Sequence, residues 1–187
     1  IAEATEPKFA HVKCRGGNGI AKLAYEYKGV HDCAAAKIIQ QGPKFCKFGC
    51  LGFGNCTRSC PFGAMHMGED GLPVIDKRLC TGCGKCASIC PNHVIELLPI
   101  SAKVAISCSS KDFGAAAMKN CKAMCIGCGS CMRNCSHQEE GAIKIVDHLA
   151  VVNQAVCHNC DNATCMTKCP TGAINEMIKG SFKKEEK

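Results

Sequence analysis

The chain has no tryptophan, two tyrosines and seven phenylalanines in 187 residues. So few aromatics limit how much surface a packed core can bury, and something besides side-chain burial has to supply much of the stability. Long apolar runs are also missing. The most apolar stretch, Val94 to Ser107, is broken by Glu96, Pro99 and Lys103, which excludes a membrane-spanning helix there. No signal peptide is visible, and the chain begins at Ile1 rather than Met, so an anchor ahead of it stays open. No Ser/His/Asp constellation or flavin fingerprint occurs. Arg15-Gly-Gly-Asn-Gly19 lacks both the dinucleotide-binding spacing and the phosphate-loop Lys-Ser/Thr, and reads as a turn. No bond-making active site is expected.

What the chain has is cysteine, 20 residues of it. In a short secreted chain that would suggest a disulfide scaffold, but such frameworks have no reason to repeat gaps of two and three residues. Sixteen of the cysteines fall into four blocks. The most regular reads Cys80-Thr-Gly-Cys83-Gly-Lys-Cys86-Ala-Ser-Ile-Cys90-Pro91. Three closely spaced thiolates wrap three corners of a [4Fe-4S] cube, and the fourth, followed by proline, is carried to a second cube. A zinc site has no use for the third closely spaced cysteine. A zinc-binding interaction module is therefore only the rival from a different class. Cluster assembly needs reduced thiols, which points to a cytosol-facing location.

The other blocks are Cys46, Cys50, Cys56 and Cys60; Cys125, Cys128, Cys131 and Cys135; and Cys157, Cys160, Cys165 and Cys169. Equivalent positions lie 75 to 79 residues apart (135 − 60 = 75; 169 − 90 = 79), an internal duplication. Within each half, hairpin-like segments separate the two blocks: Ala64–Met67 with Pro73–Ile75, and Ala142–Val146 with Leu149–Val152. A closing strand follows each last block, at Val94–Leu97 and Ala173–Glu176. The predicted fold is α+β: two tandem bacterial-type two-[4Fe-4S] ferredoxin-like modules, each preceded by a short strand–helix segment. The expected divisions are a preface over 1–45, module 1 over 46–100, a second preface over 101–124, module 2 over 125–179, and a solvated tail over 180–187. The fourth ligands cross over. Cys46, Cys50 and Cys56 would share a cube with Cys90, and Cys80, Cys83 and Cys86 one with Cys60. Likewise Cys125, Cys128 and Cys131 go with Cys169, and Cys157, Cys160 and Cys165 with Cys135. Four [4Fe-4S] clusters are expected. The wider gaps of the first and last blocks read as loop insertions, and Ser136 replaces the proline expected after Cys135.

Cys14, Cys33, Cys108 and Cys121 fit no block. His11–Cys14 and Lys103–Cys108 read as strands ending in cysteine. Each is followed by an Ala-rich helical stretch, Ile20–Tyr27 or Gly114–Lys119, and then by Cys33 or Cys121. Three readings stand for these four: buried apolar thiols, spatially adjacent pairs, free or disulfide-bonded, or ligands of an extra cluster. His93, His137 and His158 lie beside cluster cysteines and read as surface or supporting residues. The formal charge of +7 invites a nucleic-acid partner, but four oxidised cubes contribute about −8 and leave a net near ~−1. The basic residues read as compensation for the clusters, and no nucleic acid is expected.

Cys80-x2-Cys-x2-Cys-x3-Cys-Pro resembles bacterial two-cluster ferredoxins, and its doubling resembles polyferredoxins. Val12-Lys-Cys-Arg-Gly-Gly, Tyr27-Lys-Gly-Val-His-Asp-Cys33-Ala-Ala-Ala, Cys46-Lys-Phe-Gly-Cys-Leu-Gly-Phe-Gly-Asn-Cys56 and Cys108-Ser-Ser-Lys-Asp-Phe-Gly are more specific. They look like the B subunit of the Rnf complex, from about Ala10 to Met177. That resemblance implies an electron-transfer iron–sulfur component of an ion-translocating ferredoxin:NAD oxidoreductase. Such a component takes electrons from reduced ferredoxin and passes them to other membrane and iron–sulfur subunits at the cytoplasmic face of the bacterial inner membrane. It also implies that longer forms carry a membrane helix and a further cysteine motif ahead of this part. A free-standing polyferredoxin carrier is the nearer alternative.

Overall fold

The computed structural model describes residues 6–157, 160 and 163–177, without the side chains of 115 and 116. His158 and the tail over 180–187 lie outside the described residues.

The first half contains β1 (Lys8–Val12), α1 (Cys33–Ile38), α2 (Asn55–Arg58), β2 (Met65–Met67), β3 (Pro73–Ile75), α3 (Lys85–Ser88) and β4 (Ile95–Pro99). The second contains β5 (Val104–Ile106), α4 (Gly114–Met118), α5 (Ser130–Arg133), β6 (Ile143–Val146), β7 (Leu149–Val152), α6 (Gln154–Cys157), α7 (Thr164–Thr167) and β8 (Ile174–Glu176). These strands make four two-stranded antiparallel sheets, β1 with β4, β2 with β3, β5 with β8 and β6 with β7. In each half the opening strand pairs with the closing one: Ala10 faces Leu97 as Ala105 faces Asn175. The β6–β7 hairpin turns through Asp147 and His148 at φ 47° and 63°, the two-residue geometry that matches strand twist.

One expected helix is absent. Ile20–Tyr27 is not helical: it leaves a turn at Ile20 and makes two isolated bridges, Ala21 to Cys121 and Leu23 to Lys44. Its amides are taken by distant carbonyls, Lys22 N by Asn120 O at 2.8 Å and Ala24 N by Pro43 O at 2.7 Å, so tertiary pairing overrides local propensity. The first-half helix comes later, at α1, where Asp32 caps it by accepting from Ala35 N at 2.9 Å.

The core is thin and full of sulfur. Its first-half cluster joins Ala10, Met65, Leu72, Val94 and Ile95 to Cys50, Cys56 and Cys86. The second-half cluster joins Val104, Ile106, Ile143 and Ile174 to Cys108, Cys121, Cys125, Cys131, Cys157 and Cys165. A third patch, Phe9, Leu98, Ala102, Ala105 and Met177, closes between the halves. Lys77 Nζ sits 4.2 Å from the Phe9 ring centroid and donates to the Met177 carbonyl.

His11 adds a polar link across the same seam. Its Nε2 lies 3.3 Å from the Ile106 carbonyl oxygen, an acceptor, so the neutral ring carries its proton there. Ser107 Oγ, 3.4 Å from the same nitrogen, accepts from Asn175 Nδ2 at 2.8 Å. Burial pushes the His11 pKa down to about 4 against the opposing bond to Ile106, and Lys77 and Lys13 push the same way.

Two expectations follow. Phe9→Ala removes the largest ring in the seam and lowers stability by about 3–5 kcal/mol, read from anaerobic denaturant unfolding of the cluster-loaded protein. Because the folded pKa of His11 is depressed from 6.5 to about 4, its contribution is fully present above about 6.5. It erodes as pH falls toward about 4. Unfolding midpoints between about pH 7 and 5 therefore fall less in His11→Gln than in the parent.

Candidate iron–sulfur centres

Four helices carry the cysteines in the same way. α2, α3, α5 and α7 are each four residues long and bury one cysteine, Cys56, Cys86, Cys131 or Cys165. The chain then reaches Cys60, Cys90, Cys135 or Cys169 two residues past the helix. A helix this short holds its cysteine against one cavity and releases the next toward another, which is how neighbouring segments come to share sulfurs.

The structure places the cysteines of three of these groups near one another. Cys60, Cys80, Cys83 and Cys86 line one cavity with Ala10, Ala64, Met65 and Leu97. Cys125, Cys128, Cys131 and Cys169 line another with Ile106, Ile145, Ala150 and Ala173. Cys165 feels the negative charge that Cys157, Cys135, Cys160 and Cys131 would carry as thiolates, and Cys157 that of Cys160 and Cys135.

The first group is corrected. The cavity that receives Cys50, Cys56 and Cys90 is completed by Cys33, with Leu51, Val94 and Ile95 around it, and Cys46 is not among its walls. The reason is legible after the fact. Cys50 to Cys56 spans six positions, as Cys125 to Cys131 does, and at the same offset Phe53 stands where the second half has Cys128 (53 + 75 = 128). The missing middle cysteine is replaced from α1. Asn55, at the start of α2, docks α1 by accepting from Cys33 N at 3.0 Å and donating to Asp32 Oδ2 at 2.6 Å. Arg58 Nη2 then donates to Asn55 Oδ1 at 2.8 Å. Cys46 lies instead beside Cys14, Cys108 and Cys121.

The linings suit a cuboidal cluster. Each cavity presents four sulfurs among aliphatic side chains and no carboxylate. Among the described residues, no three His, Cys, Asp or Glu side chains converge as a single metal ion requires. Backbone amides also reach the sulfurs, as Ala10 N does to Cys80 Sγ at 3.4 Å. Burial raises the thiol pKa to about 12 at Cys50 and Cys165 and to about 11 at Cys56 and Cys131. Loading with metal therefore has to displace protons. At Cys169 burial pushes upward, but hydrogen bonds from Thr171, Ile174 and Ala173 outweigh it and the pKa falls.

Among the described residues, no histidine joins the walls of these three cavities. His93 is exposed, and His137 pairs with Glu140 at 2.8 Å. The Arg15–Gly19 segment is the expected turn, with Asn18 N donating to Asp70 O at 2.7 Å.

Residues 49–95 match the family model of a 4Fe-4S dicluster domain. A span of 176 residues is 51% identical to the B subunit of the proton-translocating ferredoxin:NAD(+) oxidoreductase complex of Clostridium ljungdahlii, covering 94% of this chain and 61% of the relative. Over nearly its whole length the chain is similar to B subunits of ion-translocating oxidoreductase complexes. The B subunit of the ion-translocating oxidoreductase complex of Methanosarcina acetivorans is 41% identical over 91% of this chain and 62% of its own length. Its counterpart in the Na(+)-translocating ferredoxin:NAD(+) oxidoreductase complex of Acetobacterium woodii is 39% identical over 90% of this chain and 49% of its own. The chain thus spans about half to three-fifths of the length of these Rnf-type relatives. The matched dicluster segment holds seven cysteines from Cys50 to Cys90, and the eighth that its two cavities need, Cys33, lies outside it.

Gly82 and Gly127 set how closely two cysteine loops approach the strands. Both have positive φ, and a Cβ on Gly82 would lie 2.4 Å from Lys8 O, one on Gly127 2.6 Å from His148 O. Backbone on both sides leaves no room to yield. Gly82→Ala is expected to displace the Cys80–Cys83 loop and cost about four irons per chain, while the iron at the other groups is retained. Iron and sulfide analysis of the anaerobically purified variant checks this.

Proposed function

We propose that this chain is an electron-transfer element built as two tandem ferredoxin-like modules, with a [4Fe-4S] cube in each of four sulfur-lined sites. The ligand sets are Cys33, Cys50, Cys56 and Cys90; Cys60, Cys80, Cys83 and Cys86; Cys125, Cys128, Cys131 and Cys169; and Cys135, Cys157, Cys160 and Cys165. The observation that carries the reading is the convergence of sequence-distant cysteines, four at a time, on apolar cavities. When bound, such a cube supplies reversible one-electron chemistry at low potential.

The residues around each site hold and insulate. Val94, Ile95, Ile106 and Ala173 keep water from the sulfurs, and backbone N–H groups supply the hydrogen bonds that help set a potential. The chain makes and breaks no bonds of its own in this role. Its place is in a membrane-bound complex, at the cytoplasmic face, taking electrons from reduced ferredoxin and passing them to the other subunits. Similarity to the B subunits of such complexes supports this reading. Among the described residues no helix is long and apolar enough to cross a membrane, so attachment through partners or through a segment beyond this part is the route proposed.

Anaerobic protein is expected to be brown, to contain iron and sulfide rather than zinc, and to lose visible absorbance when mixed with stoichiometric reduced ferredoxin. Colourless zinc-loaded protein would sink the reading. Iron-loaded protein that ferredoxin leaves oxidised would remove ferredoxin as the donor.

A further inference from the structure

Cys14, Cys46, Cys108 and Cys121 line one cavity, as four cysteines line each of the three ferredoxin-like cavities described above. We infer that these four cysteines ligate a fifth [4Fe-4S] cluster, which joins the two modules. The inference rests on the iron–sulfur reading of the other four sites and goes beyond it in count, ligands and connectivity.

The sulfurs are close enough to share one core. A Cβ built on Gly49 would lie 3.5 Å from Cys46 Sγ and 3.6 Å from Cys14 Sγ, so those two sulfurs are at most 7.1 Å apart (3.5 + 3.6). The same construction on Gly16 places Cys121 Sγ at 3.3 Å and Cys14 Sγ at 3.7 Å, a separation of at most 7.0 Å (3.3 + 3.7). Cys108 completes the set. Its thiol is pushed up to about 11, chiefly by burial, and the negative charge of a Cys46 thiolate acts on it in the same direction.

The site has the symmetry of the duplication. Cys46 and Cys121 are equivalent (46 + 75 = 121), each just ahead of a cysteine of a ferredoxin-like group, Cys50 or Cys125. Cys14 Sγ accepts from Gly16 N at 3.4 Å and from Cys50 N at 3.2 Å. Cys108 Sγ accepts from Ser110 N at 3.4 Å and from Cys125 N at 3.3 Å. Each half thus contributes two sulfurs and the same pair of N–H donors, the arrangement that stabilises thiolates of a cluster.

A buried charge points the same way. Lys44 is 7% exposed, lines this cavity and donates from Nζ to the Gly16 carbonyl at 2.6 Å. Among the described residues no carboxylate pairs with it. A buried ammonium needs an anion, and a cube with four thiolates carries about −2. Asp112 lies near enough to act on Cys46 in the opposite sense, and Lys13 and Arg15 also face the cavity.

The position gives the group its role. The amides of Cys50 and Cys125, each a ligand of a cluster in a different half, touch the sulfurs of this site. A cluster held by these four sulfurs would supply a one-electron link between the cubes of the two halves, with no proton moved and no bond made.

The test is an iron and sulfide count on the full 187-residue chain, reconstituted anaerobically, with electron paramagnetic resonance through a potentiometric titration. Five clusters give about 20 irons per chain and four give about 16. This count needs no variant to fold. Cys108→Ala and Cys121→Ala are each expected to remove about four irons and one resonance component, and Cys83→Ala about four irons and a different component. Lys44→Met is expected to lower the midpoint of the component lost in Cys108→Ala and of no other. About 16 irons, unchanged in Cys108→Ala and Cys121→Ala, would overturn the fifth cluster and leave the four-site reading standing. Protein without iron would overturn both.

Discussion

Four sulfurs have to meet around each cavity, and no single stretch of this chain brings all four of any group together. In two groups three come from one loop and its short helix and the last from a distant segment, Cys60 for the group around Cys80 and Cys169 for the group around Cys125; the group around Cys50 and Cys56 draws two from elsewhere, Cys33 and Cys90. The small antiparallel sheets follow from this. Pairing β1 with β4 and β5 with β8 returns the end of each half to its beginning, which is what carries Cys90 and Cys169 back. A core this poor in aromatics leaves the halves to be held as much by shared ligation as by burial.

Electrostatics bind sequence, fold and proposed cofactor together. Burial makes the thiols harder to ionise at Cys50, Cys56, Cys108, Cys131 and Cys165, so the empty sites favour protons and the filled ones expel them. The chain's excess of 23 Lys and Arg over 16 Asp and Glu then reads as compensation that only a loaded protein needs. Lys44 shows it at one residue, a buried ammonium beside the sulfurs of the central cavity that pairs with no carboxylate among the described residues. Some basic side chains serve the fold by capping carbonyls instead, as Lys103 does at Cys160 O, 2.6 Å.

Much of the arrangement was readable before any coordinates. The Cys80 block, the hairpins around Gly71 and Asp147, and the returning strands at Ile95 and Ile174 all stand where spacing and alternation put them. Two readings went astray for physical reasons. Ile20–Tyr27 has helix-forming residues, yet its amides are claimed by carbonyls of residues 43 and 120. Cys46 sits in a block by sequence, yet the six-residue interval from Cys50 to Cys56 already holds a complete loop whose middle cysteine is replaced by Phe53 and resupplied by Cys33. Comparison of intervals rather than gaps would have exposed that exchange.

The sequence alone determined the chemistry of the donors and the spacing of the cysteine blocks, and loop spacing limits which corners one segment can reach. It could not determine which of Cys14, Cys33, Cys46, Cys108 and Cys121 belong together. These residues are separated by up to 107 positions (121 − 14), and no local spacing encodes such a meeting. Only the tertiary structure decided it. Asn55 pins Cys33 over the first-half cavity, and the bridge from Ala21 to Cys121 draws the two halves around a common pocket.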